Sequence, residues 1–126
     1  MSIIKPKEID IGFKVDYKKL WNLDIPAEEI DISELECNLD FPYLEQENTD
    51  DWNLTPRMLI ENFEKEISHA KKVKETDLNY PIEIYFHNGN WIILDGIHRY
   101  VKALMGGLGT IRVRRVSNTM LDGIHE

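Results

Sequence analysis

The clearest pattern along the chain is a strand, a sharp polar turn and a short helix. Residues 91–94 form an apolar run, which is typical of a strand covered on both faces. Asp95 and Gly96 interrupt this run, and apolar residues then recur at near-helical spacing from Ile97 onwards. Residues 106–107 are both glycine and predict the helix end, because glycine adopts the left-handed conformation without steric strain.

Two further strands are predicted beside this unit. Apolar and polar residues alternate from Ile82, which follows Pro81, and the Asn-Gly-Asn turn at 88–90 predicts an antiparallel hairpin with residues 91–94. The alternation at residues 110–116 predicts the last strand.

The clearest separate helix begins at Thr55 and Pro56, a favourable N-cap followed by a proline at the first helical position. One apolar stripe follows at three- and four-residue spacing and consists of Leu59, Ile60, Phe63, Ile67, Ala70 and Val73. A break near Ser68 would divide this element into two helices. Arg57 and His69 are interpreted as part of its solvated face.

The N-terminal part is less regular. Residues 1–15 are interpreted as an arm or an edge element, and Asp16 as the N-cap of a short helix whose Leu20 and Trp21 pack inward. Residues 25–35 alternate apolar and acidic side chains after a proline, which favours an edge strand or a strand followed by a turn.

A long loop is predicted at residues 38–53, pinned by its aromatic side chains Phe41, Tyr43 and Trp52. Residues 117–126 are interpreted as a C-terminal tail.

Composition narrows the class of protein. The 126 residues are 42% hydrophobic and 30% charged, as expected of a single soluble domain. We expect a cytoplasmic protein, because no apolar run approaches membrane length and no signal-peptide pattern is present. Cys37 is the single cysteine, which excludes an internal disulfide.

The net charge is −8, with eleven acidic and no basic residues at 24–51, and this argues against duplex DNA as a partner.

The turn after the apolar strand is the candidate functional site. A helix N-terminus offers backbone N–H groups and a positive dipole end, which favour a phosphate or carboxylate. Arg99 can bind phosphate oxygens in a fork. His98 can donate to a phosphate or be a structural histidine. Asp95 can hold magnesium, accept a proton from a hydroxyl, or cap the helix. Arg112 and Arg114 lie on one face of the last strand, where surface placement is favoured over a nucleotide contact.

These motifs, together with the flanking strands, resemble the ParB N-terminal/sulfiredoxin-like superfamily over roughly residues 25–116. The resemblance implies an α+β fold, a single domain with a small mixed sheet packed with helices. Residues 1–24 would then be an N-terminal arm with a short helix. It also implies a nucleotide (ATP, ADP or CTP, with Mg) whose phosphates bind at Gly96, Ile97, His98 and Arg99.

The turn differs from each branch of the superfamily in a way that bears on function. ParB partition proteins have Gly-Glu-Arg-Arg here and continue into a helix-turn-helix domain, which we do not expect after residue 116. Sulfiredoxins have Gly-Cys-His-Arg with a nucleophilic cysteine, and Ile97 cannot serve in that role. The free serine kinase has Asp-Gly-His-His-Arg, from which residues 95–99 differ at one position.

The resemblance to the free serine kinase also implies a general base. In that family a glutamate shortly after an Ile-Pro-containing strand acts on the serine hydroxyl, and Glu34 matches its spacing, with Glu36 as the alternative. We therefore expect a phosphotransferase or NTPase that uses Glu34, Asp95 and His98 on a small hydroxyl-bearing substrate. The alternative is a non-enzymatic module that senses a nucleotide or binds a partner; a nuclease is a third and less favoured possibility.

Overall fold

The computed structural model describes residues 15–46, 52–121 and 123–124 and has the α+β architecture predicted from the sequence. Its main sheet is mixed: one central pair of strands is parallel and the two outer pairs are antiparallel. In spatial order the strands are β1 (Glu28–Asp31), β6 (Thr110–Val116), β4 (Ile82–His87) and β5 (Asn90–Asp95).

Helices and a second, two-stranded sheet surround the main sheet. In chain order the α-helices of the described residues are α1 (Tyr17–Trp21), α2 (Pro56–Glu61), α3 (Ile67–Glu75), α4 (Ile97–Met105) and α5 (Asn118–Leu121). A 3-10 helix, Ile32–Asp40, follows β1, and the small sheet pairs β2 (Leu44–Glu45) with β3 (Trp52–Leu54).

The main sheet is covered on both faces because its strands alternate their side chains. Ile82, Ile84 and Ile93 point to the face that α4 and the 3-10 helix cover, where Tyr100 is fully buried. The opposite face carries a smaller core, which consists of Val15, Leu20, Val116, Leu121 and Ile124 with partly buried neighbours. Each face of the main sheet therefore has its own hydrophobic core.

The strand–turn–helix unit is confirmed. β5 ends at Asp95, α4 begins at Ile97, and Gly107 has a left-handed φ of 70° just after the helix. The hairpin of β4 and β5 is also confirmed, with Asn88 and Gly89 at φ 51° and 83° as a tight hairpin turn requires.

The helix that starts at Thr55 is confirmed, since its hydroxyl accepts from the N–H of Met58 at 3.1 Å. The predicted break exists but lies at residues 62–66 rather than near Ser68. The prediction that Ile67 belongs to the apolar stripe is wrong: it is the first residue of α3 after the break, and it is 68% exposed.

The short N-terminal helix is confirmed, with the Asp16 carboxylate accepting from the N–H groups of Lys18 and Lys19. Leu20 is fully buried, but the inward placement predicted for Trp21 is wrong, because Trp21 is 56% exposed. The arm predicted at residues 1–15 lies outside the described residues except for Val15.

The segment predicted as a long loop is more ordered than expected. It includes the end of the 3-10 helix and the small sheet; residues 47–51 and the side chain of Trp52 lie outside the described residues. Tyr43 does pin the segment, because its hydroxyl accepts from the N–H of Ile93 at 3.0 Å and bonds Asn38. These contacts cover the outer edge of β5, where an exposed strand edge would otherwise invite pairing with another chain.

The segment interpreted as a C-terminal tail contains α5. Leu121 and Ile124 are buried against Val15 and Leu20, and the carbonyl of Ile124 accepts from the N–H of Asp16 at 2.7 Å. The two ends of the described chain therefore meet on one face of the sheet. No helix among the described residues is long and apolar enough to cross a membrane.

Candidate functional site

The turn between β5 and α4 is open at the helix N-terminus. Gly96 is the N-cap of α4, and no side chain caps the first turn. Asp95 is the last residue of β5, so its possible role as the helix cap is not realised. The first N–H groups of a helix have no intrahelical partner. The amides of Ile97, His98 and Arg99 therefore form an electropositive end of this nine-residue helix.

Arg99 lies against the turn because Gly96 has no side chain. A Cβ at Gly96, whose φ is 111°, would stand 2.9 Å from Arg99 Nη2 and 3.0 Å from Ile82 Cγ1. The Arg99 side chain is 18% exposed, and its Nη2 lies 3.5 Å from Asp95 Oδ2. Its Nε–H is the only buried side-chain polar atom of the described residues without a hydrogen-bond partner. The guanidinium is thus held beside the turn with donor capacity to spare.

Asp95 is joined to the N-terminal part of the chain. The indole N–H of Trp21 donates to Asp95 Oδ2 at 2.8 Å, the same oxygen that faces Arg99. The Asp95 side chain remains 26% exposed. A distance of 3.5 Å to Arg99 is longer than a good charge-assisted hydrogen bond, so the Arg99 guanidinium is only loosely engaged.

A second ion pair lies beneath this site on the same face of the sheet. Glu83, 2% exposed, pairs with Arg114 Nη1 at 3.2 Å, and Arg114 also donates to the carbonyls of Leu23 and Ile25. Burial, followed by the negative charge of Asp95, raises the pKa of Glu83, and Arg114 opposes this. The surface placement favoured for Arg114 is therefore wrong. The spacing carries no signal for this pair, because a residue between two isoleucines of a strand points to the opposite face of the sheet.

The His98 side chain contacts α3. Its Nε2 lies 3.1 Å from Nδ1 of His69, the two rings stack with centroids 5.3 Å apart, and Nε2 of His69 lies 2.6 Å from the carbonyl oxygen of Glu45. Burial, followed by the charge interactions with His69, Lys72 and Arg99, lowers the pKa of His98 to about 4, and the negative charge of Asp95 opposes this. His98 is thus neutral at pH 7, and the solvated face predicted for His69 is wrong.

The predicted base lies on a different element from the turn. Glu34 is exposed on the 3-10 helix, and within the described residues no hydrogen bond or ion pair joins it to Asp95, His98 or Arg99. Glu36 is also exposed, and its charge acts on Arg57, which pairs with Asp40 at 2.8 Å.

No group of three or more His, Cys, Asp or Glu side chains in the described part of the chain could hold a metal ion. Asp95 is the one partly exposed carboxylate at the turn itself. Magnesium commonly binds through one or two carboxylates together with substrate phosphates and water. Asp95 provides a single carboxylate, so magnesium would bind at this turn only when substrate phosphates supply further ligands.

Comparison with known proteins gives little guidance on activity. No family model and no curated protein matches the chain. Among solved structures, the crystal structure of sulfiredoxin from Arabidopsis thaliana aligns with 77% of this chain and 93% of its own, at 18% identity and a TM-score of 0.37. A likeness at this level assigns no activity or residue role to the chain.

Proposed function

We propose that this domain binds a nucleoside di- or triphosphate, with its terminal phosphates at the turn between β5 and α4. The observation that carries this proposal is the uncapped first turn of α4 beside the unpartnered Nε–H of Arg99. An anion placed here gains backbone donors, the helix dipole and a guanidinium fork together. Ile97 takes part through its amide alone, because its side chain packs into the core.

The finer proposal is that the bound nucleotide undergoes phosphoryl transfer or hydrolysis. Positioning and charge stabilisation supply most of the catalysis in such reactions. Arg99 and the first-turn amides hold the phosphates, and Asp95, kept in place by Trp21, orients the attacking hydroxyl or binds magnesium together with the phosphates. Glu34 is retained as the base, with a small hydroxyl-bearing molecule as acceptor.

The exposed position of Glu34 supports a second candidate, a module that binds a nucleotide without consuming it. In that case the turn serves as a sensor, and no carboxylate needs to reach the acceptor. The two candidates share the phosphate site and differ only in whether turnover follows binding.

A thermal-shift series tests the shared part. ATP, ADP and CTP, each with and without magnesium, should raise the melting temperature, whereas adenosine should not, because it lacks the phosphates that the turn recognises. A ligand that binds only the folded state at 100 times its Kd stabilises it by about 2.7 kcal/mol. Equal shifts with adenosine and ADP would contradict a phosphate site at the turn.

Nucleotide consumption then separates the enzyme from the sensor, with free serine and water among the acceptors. Glu34→Gln should lower turnover by roughly 10²–10⁴ while affinity stays within a few-fold. Asp95→Asn should slow turnover and weaken the magnesium dependence. Glu29→Gln, an exposed change on β1, is the matched control. If Glu36→Gln is the slow variant, the base is Glu36. A wild type that binds tightly and consumes nothing supports the sensor.

A further inference from the structure

A half-exposed tryptophan stands next to the phosphate turn. Trp21 is 56% exposed, and its indole N–H donates to Asp95 Oδ2 at 2.8 Å. The same oxygen lies 3.5 Å from Nη2 of Arg99, so a single carboxylate oxygen separates the indole from the guanidinium. A ligand whose phosphates contact Arg99 therefore has the indole as a close neighbour.

The hydrogen bond to Asp95 occupies only the N–H edge of the indole. The exposure of Trp21 shows that further ring surface is in contact with solvent. Tyr17 lies one helical turn earlier on α1, with the two ring centroids 6.2 Å apart, and is itself 47% exposed. The two rings form an exposed aromatic patch beside the turn, and such a patch can stack with a flat ring of a ligand.

The chain that carries this patch is anchored at the sheet. Leu20, the residue before Trp21, is fully buried. Beyond the helix, Arg114 donates to the carbonyls of Leu23 and Ile25, and Arg114 is only 9% exposed. A contact residue that is already held in place loses less conformational entropy when a ligand binds. The indole is therefore fixed beside the turn before any ligand arrives.

We propose that Trp21 is the contact residue for the base of the bound nucleotide, which stacks on the exposed indole while the phosphates occupy the turn. This inference rests on the proposed function and adds to it a base site on α1. Stacking tolerates any base, because every base has a π-face. The patch therefore distinguishes nucleotides from phosphate compounds that carry no aromatic ring.

Calorimetry with two probes separates stacking from the effect of Trp21 on Asp95. ADP has a base and pyrophosphate has none, so the ratio of their Kd values cancels any change that Trp21→Ala causes at the phosphates. Replacement of an aromatic residue that stacks on a base by alanine corresponds to a roughly 5- to 150-fold loss of affinity. In magnesium-free buffer, Trp21→Ala should weaken ADP binding by this factor relative to pyrophosphate binding.

Two further variants complete the series. Trp21→Phe keeps a ring but lacks the N–H, so its preference for ADP over pyrophosphate should stay well above that of Trp21→Ala. Phe86→Ala is the matched control, because Phe86 is 53% exposed and packs against Trp91 toward the hairpin end of the sheet. It should keep the wild-type ratio. Equal losses in Trp21→Phe and Trp21→Ala, or in Phe86→Ala and Trp21→Ala, contradict stacking on Trp21.

Indole fluorescence gives an independent readout on the folded wild type, because a base stacked on an indole quenches its emission. ADP should quench the wild type, pyrophosphate should not, and Trp21→Phe should show no quenching by ADP although two other tryptophans remain. An unchanged ratio of Kd values in Trp21→Ala, or full quenching in Trp21→Phe, overturns the inference and leaves the phosphate site standing. Absence of binding of both ADP and pyrophosphate by the wild type overturns the proposed function itself.

Discussion

Trp21 and Asp95, 74 positions apart in the sequence, are joined by a hydrogen bond of 2.8 Å between the indole N–H and Oδ2. This bond ties the short helix α1 to the last residue of β5, directly before the turn that we assign to phosphate binding. It also explains why an exposed tryptophan is placed here, since its N–H orients a carboxylate that Arg99 contacts only loosely.

A double-mutant cycle measures this bond. A hydrogen bond to a charged group contributes about 1.5–3 kcal/mol to the free energy of unfolding. Both partners are partly exposed, so we expect the Trp21–Asp95 coupling energy to lie at or below the lower end of this range. Trp21→Phe, Asp95→Ala and the double variant should therefore show a coupling of roughly 1 kcal/mol in urea unfolding. Fully additive effects of the two changes would show that the bond contributes nothing.

The space at Gly96 gives a second prediction. Gly96→Ala should destabilise the protein by about 1–2 kcal/mol for the left-handed φ and by a further 1–3 kcal/mol for crowding against Ile82 and Arg99. Gly89→Ala is the matched control, since Gly89 also has a positive φ (83°) but nothing within 4 Å of its added Cβ.

Urea unfolding of both variants measures the difference. Gly96→Ala should be the less stable variant and should also bind ADP more weakly, because the displaced guanidinium is the proposed phosphate ligand. Equal stability of the two variants would mean that Arg99 does not rest against Gly96.

The lowered pKa of His98 predicts a pH dependence of stability. The folded-state pKa of about 4 lies below the ordinary value of 6.5, so the unfolded chain binds a proton in this window that the folded protein does not. Stability should therefore fall as the pH drops from 6.5 toward 4, by at most about 1.4 kcal/mol per pH unit from this group.

His98→Gln isolates this contribution. Between pH 7 and 5, unfolding free energies of the variant should fall less steeply than those of the wild type, and His87→Gln should leave the slope unchanged. A wild-type slope retained in His98→Gln would show that other groups cause the acid sensitivity.

Local signals in the sequence were sufficient to predict several secondary-structure elements and the turn between β5 and α4. The hairpin, the helix starts at Asp16 and Thr55, and the glycine end of α4 each depend on neighbouring residues, and all are confirmed. The inward placement of Trp21 failed because an apolar side chain in a short helix gives no indication that a distant carboxylate will use its N–H.

Periodicity also gave an incomplete account of β4. The alternation from Ile82 does not indicate which side chains of β4 are buried, and in the structure Phe86 is 53% exposed whereas Glu83 is 2% exposed. Glu83 is buried because the face opposite Ile82 and Ile84 is also covered and Arg114 pairs with it there, and neither feature is visible in the spacing.

The site itself was only partly predictable. The motif predicted that Arg99 lies beside the N-terminus of α4, because Arg99 belongs to the first turn of that helix. The contact of His98 with His69 spans 29 positions and depends on the packing of α3 against α4 after an irregular break, which single-residue patterns do not encode.

Calorimetric titration of ADP into the wild type, Arg99→Ala and Arg112→Ala tests the phosphate site most directly. Arg112 is an exposed arginine on β6 and serves as the control for charge alone. Loss of a charge-assisted contact of about 1.5–3 kcal/mol corresponds to a roughly 10- to 150-fold weaker Kd for Arg99→Ala. Arg112→Ala should bind within a few-fold of the wild type. Unchanged affinity in Arg99→Ala, or an equal loss in both variants, would contradict phosphate binding at the turn.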